Sequence, residues 1–302
     1  MYDTIIIGSG PAGLSAAIYG ERAKLKVLTI EKQPMSGGQI LNTYEVDNYP
    51  GLPGIGGFDL GTKFRSHADG LGANVITEGV SSVDFSGEIK KVVTDQNVYE
   101  GKTVIIATGA GHRKLGVPGE EEFCGMGVSY CATCDGAFFR GKDTVVVGGG
   151  DVALEDALFL ARGCRKVYLV HRRDAFRGAK VLQEKVFATE NIEVIWDTEV
   201  REICGSGKVT GVSLYNKKTE TMTELLADGV FIAVGIMPNT TLFEGQVPMD
   251  DAGYIKAAED CATGTAGIFA AGDVRTKPLR QVVTAAADGA NAITSVEHYL
   301  YR

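Results

Sequence analysis

Cysteine is scarce in this chain, six among 302 residues, and four of the six (Cys124, Cys164, Cys204 and Cys261) stand isolated. That density is far below a disulfide scaffold, and a chain this long buries roughly three quarters of its unfolded surface, so folding needs neither disulfides nor metals. The scarcity points to a reducing compartment, and a cytoplasmic protein is expected. An excess of basic charge is missing too. Lysine and arginine number 30 against 38 aspartates and glutamates, a net charge of −8; this argues against a general nucleic-acid or membrane-surface binder and leaves room for a local anion site. The uncharged stretch Thr4 to Gly20 is interrupted by Gly8, Gly10 and Gly13 and preceded by Asp3, where a secretory leader carries basic residues. No other uncharged apolar run approaches the ~18 residues of a membrane span. Glycine is abundant, 40 residues, about twice the ordinary ~7% share, and it lies in short loops rather than in a low-complexity tract.

Those loops recur. Thr4-Ile5-Ile6-Ile7 runs into Gly8-Ser9-Gly10-Pro11-Ala12-Gly13, and Thr144-Val145-Val146-Val147 runs into Gly148-Gly149-Gly150-Asp151-Val152-Ala153. Each is a buried-type strand followed by a glycine loop. A helix is expected next, from Leu14 to Ala23 and from Leu154 to Ala161, then a strand ending at Glu31 and at His171. The interval from Gly13 to Glu31 equals that from Ala153 to His171. Both copies later show another apolar strand with a glycine exit, Val104 to Gly109 and Val230 to Gly235. Two α/β units of similar plan are predicted.

A glycine turn that leaves a strand, opens a helix and meets a suitable residue at the next strand end, near the ~20-residue offset, is a dinucleotide-binding signal. The glycines let backbone amides approach a pyrophosphate lying on the positive end of the helix. Tight helix–strand packing without a ligand is the competing reading. Glu31 suits ribose hydroxyls that bear no extra phosphate. At the matching place in the second copy stand His171, Arg172 and Arg173, with Arg177 just beyond. Guanidinium forks take a phosphate dianion where a carboxylate repels it, so the second unit should prefer NADPH to NADH; a solvated basic run is the alternative.

Cys131-Ala132-Thr133-Cys134-Asp135 lies between the first unit and the first strand of the second. A pair at this spacing can close a small redox-active disulfide; zinc is the main competing reading, and a structural, inert disulfide is the other. A structural zinc needs four ligands; the chain has no second cysteine pair, and its histidines (His67, His112, His171, His298) are scattered, so no metal is expected. Asp135 is either a turn residue or a proton donor and acceptor for a thiolate. Gly148 follows Cys134 closely, so the dithiol should travel with the second unit.

The ordered set Gly8 to Gly13, Gly37-Gly38-Gln39, Asn48-Tyr49-Pro50-Gly51, Ala107-Thr108-Gly109-Ala110, Cys131 to Gly136, Gly148 to Asp151, His171 to Asp174 and Gly267 to Asp273 resembles the low-molecular-weight, bacterial-type thioredoxin reductases, class II pyridine nucleotide-disulfide oxidoreductases. The resemblance covers nearly the whole chain. It implies an α/β fold of two Rossmann-like domains, an FAD domain over 1–112 and 246–302 and an inserted NADPH domain over 113–245 that carries the redox pair. Asp273 would reach the ribityl chain, and Arg280, Gln281 and Val282 the flavin end. The other implied FAD contacts are Gly8, Ser9, Gly10, Pro11, Ala12, Gly13, Glu31, Gly38, Gln39, Asn48, Ala107, Thr108, Gly109 and Gly272. The implied NADPH contacts are Gly148, Gly149, Gly150, Asp151, Val152, His171, Arg172, Arg173 and Arg177. Val152 departs from the serine or threonine often found there, which removes one hydroxyl bond to the pyrophosphate. Independently of the resemblance, the run Ile268 to Ala271 with its Gly-Asp exit has no partner in the twofold repeat, which supports a return of the chain to the first domain.

The resemblance also implies the reaction: electrons pass from NADPH through FAD and the Cys131/Cys134 disulfide to thioredoxin or a similar small redox protein. Cys134 would be the flavin-proximal sulfur, Cys131 the thiol that attacks the partner, and Asp135 the acid/base. A homodimer is implied as well, and so is rotation of the inserted domain about its two connections, for which Pro118-Gly119 and Pro238-Asn239 are hinge candidates or ordinary loops. A flavin dithiol oxidase and a ferredoxin-linked disulfide reductase on the same scaffold are disfavoured by the retained second glycine loop and its arginines; His171-Arg172-Arg173 disfavours an NADH-linked peroxiredoxin reductase. A zinc- or nucleotide-binding interaction protein is the non-enzymatic alternative, and a yellow protein bleached by NADPH would exclude it.

Overall fold

The computed structural model describes residues 1–42, 46 and 48–301, apart from the side chains of Asn42 and Cys134. It divides into two compact units, 1–111 with 237–302, and 112–236. The passes between them are the short strands Ala110–His112 and Ile236–Pro238, which pair with each other. The second boundary falls earlier than the expected 245/246. Residues just past the crossing are already bound into the first unit: the Asn239 N–H donates to the Gly109 carbonyl at 3.0 Å, and Phe243 and Val247 lie in that unit's core. Pro118-Gly119 is not at a crossing. It is packed inside the second unit, where the Ile203 N–H donates to the Pro118 carbonyl and a Cβ on Gly119 would fall 2.0 Å from the Ile203 oxygen.

In the first unit the strands Val75–Thr77, Val27–Glu31, Tyr2–Ile7 and Val98–Ile106 are neighbours in that order. The long strand changes partners along its length. Val98 to Gly101 pairs antiparallel with Lys90–Thr94, while Val104 to Ile106 pairs parallel with Ile268–Ala270. The returning segment thus completes the parallel sheet. Runs of isoleucine and valine suit strands buried on both faces, and here they alternate between two cores. Ile6, Ile105 and Phe269 pack with residues of the helices Pro11–Arg22 and Val282–Leu300, whereas Ile5, Ile7, Val104 and Ile106 pack with Phe85 and Phe243. The first helix starts earlier than expected, because Pro11 stands at its N-terminal position, where a missing N–H costs nothing.

In the second unit five parallel strands run in the order Ile192–Ile195, Lys166–Val170, Asp143–Gly148, Gly229–Ala233 and Val128–Ser129. The helix Asp151–Ala161 packs on one face through Ala153, Leu154, Ala157 and Leu160. An antiparallel layer, Thr198–Gly205, Val209–Asn216 and Thr221–Leu226, contributes Val200, Ile203, Val212 and Leu214 to a second core with Val145, Val147 and Val230. No helix of the described residues is long and apolar enough to cross a membrane.

Candidate cofactor and dithiol sites

Because the central strands of the first unit are parallel, their C-terminal ends share one edge, where Gly8, Glu31, Ala107 and Ala271 leave the sheet. Ligands of such sheets bind outside that edge. Gly8 turns there with φ 104°, a conformation that favours glycine. Gly10 caps the helix Pro11–Arg22 with no side-chain hydrogen bond and no acidic residue in the first turn, so the amide end is open to an anion. Gly13 brings helix and strand together, since a Cβ there would lie 1.9 Å from the Gly8 oxygen. Glu31 is buried and accepts from the Ser9 N–H at 2.8 Å, the Ser9 hydroxyl at 2.6 Å and the Gln33 N–H at 2.9 Å. The Gly37 N–H donates to the Ser9 carbonyl, which sets Gly38 against Gly10, and Gln39 donates to the Ala110 carbonyl. Thr108 and Asn239 exchange two hydrogen bonds.

The last helix contributes the rest. Its N-cap, Gln281, accepts from Asn48 at 2.9 Å and forms a capping box with Thr284, and Val282 packs against the small cluster of Ile40, Val46 and Leu60. The Arg280 guanidinium lies 4.0 Å from the centre of the Tyr254 ring. Among the described residues, two polar atoms here are buried without a hydrogen bond, Asp273 Oδ1 and Arg280 Nε. Burial pushes the Asp273 carboxyl up, against the pull of Lys277 and Arg280. An acceptor and a donor held out of water without partners are what a bound polar molecule satisfies.

The second unit repeats the plan with different groups. Gly148 (φ 158°) leaves its strand, and Gly150 caps the helix Asp151–Ala161 without a side-chain bond. Asp151 accepts from the Ala179 N–H at 2.6 Å, and Val152 is exposed. His171, one of the implied NADPH contacts, is 6% exposed; its Nε2 is 3.1 Å from the Ala175 carbonyl oxygen, and its ring packs with Phe176 and Trp196. A strand-end residue points inward here because Gly149 leaves room; a Cβ on Gly149 would come within 2.3 Å of the imidazole. Arg172, Arg173 and Arg177 are exposed, and none makes an ion pair among the described residues. The Arg177 and Gly178 N–H groups both donate to the Gly149 carbonyl, which folds the arginine segment onto the glycine loop.

Cys131 follows the edge strand Val128–Ser129, which runs parallel to Gly229–Ala233, so it emerges at the same sheet edge as that loop. It is disulfide-bonded, partly exposed, with its N–H bound to the Ser129 hydroxyl at 3.0 Å and its Sγ 3.3 Å from Thr133 Oγ1. Cys134 lies on the helical turn Ala132–Asp135; its side chain is outside the described residues. The Asp135 N–H donates to the Cys131 carbonyl at 3.2 Å. Just beyond, Gly136 seats this turn on the helix Asp151–Ala161, with Leu160 and Phe159 at 3.0 and 3.1 Å from where a Cβ would be. Among the isolated cysteines, Cys261 is buried, and burial first and Asp288 second push its thiol up to about 12, which disfavours the thiolate form. Among the described residues no group of three or more His, Cys, Asp and Glu side chains gathers to hold a metal ion.

Residues 2–289 match the family model of pyridine nucleotide-disulphide oxidoreductases. The chain belongs to this family. Within this family of oxidoreductases it is similar over its full length to thioredoxin reductases. That of Streptomyces clavuligerus is 48% identical over 99% of this chain and 94% of its own, and that of Listeria monocytogenes serovar 1/2a is likewise 48% identical, over 99% and 94%. The solved thioredoxin reductase of Lactococcus lactis, in its FR conformation, superposes with a TM-score of 0.89 at 43% identity, covering 100% of this chain and 99% of that one. Family motifs do not point to Tyr254 beneath Arg280, nor to Asp288, which bonds to Gly272, Arg275 and Lys277. The sequence signal for Asp288 is a carboxylate that is the one charged residue in the helical run Val282 to Val296.

Proposed function

We propose that the protein is an NADPH-dependent thioredoxin-disulfide reductase, with FAD held by the first unit, NADPH by the second, and Cys131 and Cys134 as its redox pair. One observation carries the reading: a disulfide-bonded Cys131 at the sheet edge that also bears an uncapped glycine-loop helix and three exposed arginines. Between them the two cofactors supply a two-electron route from a nicotinamide to a disulfide. The residues present fit them. In the first unit the open amide end at Ala12 and Gly13 suits a pyrophosphate, and Glu31 retains acceptor capacity for ribose hydroxyls. The partnerless Asp273 Oδ1 and Arg280 Nε supply an acceptor and a donor to a polyol and a flavin ring. In the second, Arg172, Arg173 and Arg177 hold the phosphate that distinguishes NADPH, while His171 supports the loop from below.

Once two electrons from NADPH have reduced the internal disulfide, Cys131 attacks the partner's disulfide as a thiolate, forming a mixed disulfide and releasing one partner thiol, and Cys134 then attacks the Cys131 sulfur, which releases the second partner thiol and restores the internal disulfide. Asp135 moves the proton at the Cys134 sulfur. The same reading makes the protein a cytoplasmic homodimer acting on thioredoxin or a thioredoxin-like protein. A dithiol oxidase or a ferredoxin-fed enzyme has no use for three arginines at the second loop, which is why the NADPH-linked reading is preferred.

The deciding experiment is NADPH-dependent reduction of a thioredoxin disulfide by wild type, Cys131→Ser and Cys134→Ser. Each variant is expected to fall to about 10⁻⁴ of the wild-type rate or lower, as when a covalent catalyst is removed. Full-speed turnover by either variant, or a colourless protein carrying stoichiometric zinc, overturns the proposal.

A further inference from the structure

The first unit buries an ion cluster beside the glycine loop. Asp288, 4% exposed, sits within the helix Val282–Leu300, and its carboxylate takes four hydrogen bonds. Gly272 N–H at 2.8 Å, Arg275 Nε at 2.9 Å and Lys277 Nζ at 2.7 Å reach Oδ2, and Arg275 Nη2 reaches Oδ1 at 2.7 Å. Arg275 also donates through Nη1 to the Ala257 and Thr276 carbonyls. Burial pushes the Asp288 carboxyl up, but the Arg275 and Lys277 bonds outweigh it and hold the group below its ordinary range. A buried carboxylate is costly unless its acceptor positions are matched, and here two cations and a backbone amide match it.

What the cluster holds is the turn that carries Asp273. The strand Ile268–Ala270 ends at Ala271, Gly272 turns with φ 83°, and Asp273 follows with its Oδ1 buried and unpartnered. The neighbour of Asp288 works in the same direction. A Cβ on Gly289 would fall 2.2 Å from the Ala12 oxygen, and one on Gly272 would fall 2.9 Å from Ala12 Cβ. Of two consecutive residues in one helix, Gly289 thus lies against the first turn of the helix Pro11–Arg22 and Asp288 binds the Gly272 end of the turn beside it.

We infer that Asp288 is a positioning residue for the flavin nucleotide: through Gly272, Arg275 and Lys277 it holds the Asp273 carboxylate next to the open end of the first helix. The inference rests on the flavin reading proposed above. It differs from a purely structural ion pair in one respect. A structural pair affects whether the unit folds, whereas a positioning residue affects how tightly an already folded unit takes FAD.

The test uses the 302-residue chain stripped of flavin, as wild type, Asp288→Asn and Lys277→Met. FAD is titrated by quenching of its fluorescence at a temperature where circular dichroism shows every apoprotein folded, and apoprotein melting and NADPH affinity are measured in parallel. Asp288→Asn is expected to weaken FAD binding about 10- to 100-fold, the range for one lost charge-assisted hydrogen bond or a little more, and to shift the bound flavin's visible spectrum, with NADPH affinity unchanged. Lys277→Met, which leaves the Arg275–Asp288 pair in place, should weaken it severalfold. FAD affinity within about twofold of wild type in both variants overturns the inference, as does a loss that merely tracks a lower apoprotein melting temperature. Should Asp288→Asn not fold, Lys277→Met decides alone by the same two outcomes. Wild-type apoprotein that takes up no FAD removes the flavin reading itself, and the inference with it.

Discussion

The two glycine loops share a backbone plan and differ in the group that stands beneath them. In the first unit Ser9 gives both its N–H and its hydroxyl to Glu31; in the second, Gly149 stands at the equivalent place and His171 lies where a Cβ would be. Serine at 149 would collide with the imidazole, and glycine at 9 would leave the buried carboxylate one donor short. Loop residue and strand-end residue are therefore matched as a pair, serine with carboxylate and glycine with imidazole. The pairing sets the charge at each sheet edge. One loop presents a carboxylate suited to ribose hydroxyls, and the other turns its polar group inward and presents three guanidiniums suited to phosphate.

The third loop position differs by one methyl group, and exchanging it should break the comparison most severely. Gly13→Ala places a Cβ 1.9 Å from a backbone oxygen, which only movement of the helix can relieve. About 3 kcal/mol of stability should be lost from the first unit, together with flavin retention, as read by urea unfolding and by the visible absorbance of purified protein. The reverse change, Ala153→Gly, should cost only about 1 kcal/mol and leave flavin content unaltered. Equal losses in the two variants would mean that the close helix–strand approach is not what distinguishes the loops. Next in size, Arg172→Ala combined with Arg173→Ala should reduce the preference for NADPH over NADH about 100-fold, two charge-assisted bonds being worth at least that. Kinetic efficiencies with both nucleotides measure this, and an unchanged ratio would reduce the arginines to a solvated surface.

Much of this contrast is legible in the sequence, because β-branched runs ending in glycine are local patterns and recur at matched spacing. The strands Tyr2–Ile7 and Asp143–Gly148, the loops after them and the return strand Ile268–Ala270 all lie where those patterns put them. What escapes sequence reading is set by contacts distant along the chain. His171 looks like the first residue of a basic run, and only the missing side chain at Gly149 lets it turn inward. Pro118-Gly119 carries a hinge composition, yet its backbone is bound to Ile203. The Asp288 cluster joins a turn to a helix through side chains that no single motif contains. The crossing at 236/237 is obscured because Pro238-Asn239 also reads as an ordinary turn.

The smallest effect concerns the imidazole itself. Burial, with Arg173 and Arg177 nearby, pushes His171 below the ordinary histidine value of 6.5, against hydrogen bonds to the Ala175 and Gly148 carbonyls that act the other way. The unfolded chain protonates this group near 6.5, whereas the folded protein protonates it only at lower pH, so between those values the unfolded state binds more protons and stability falls with falling pH. Above 6.5 the contribution is flat. His112, also lowered by burial, adds a slope of the same sign, while Asp156, pushed up to about 7 by burial and by Glu155, opposes both. The net slope of the wild-type protein is therefore uninformative about any single group, and the difference between variants is what isolates His171. His171→Phe should make the urea midpoint of the second unit less sensitive to acid between about pH 7 and pH 5, with no matching change in the first unit, whose loop rests on a carboxylate. An unaltered pH dependence in that variant would mean that the imidazole is not held neutral beneath the loop, and the pairing of Gly149 with His171 would then be steric alone.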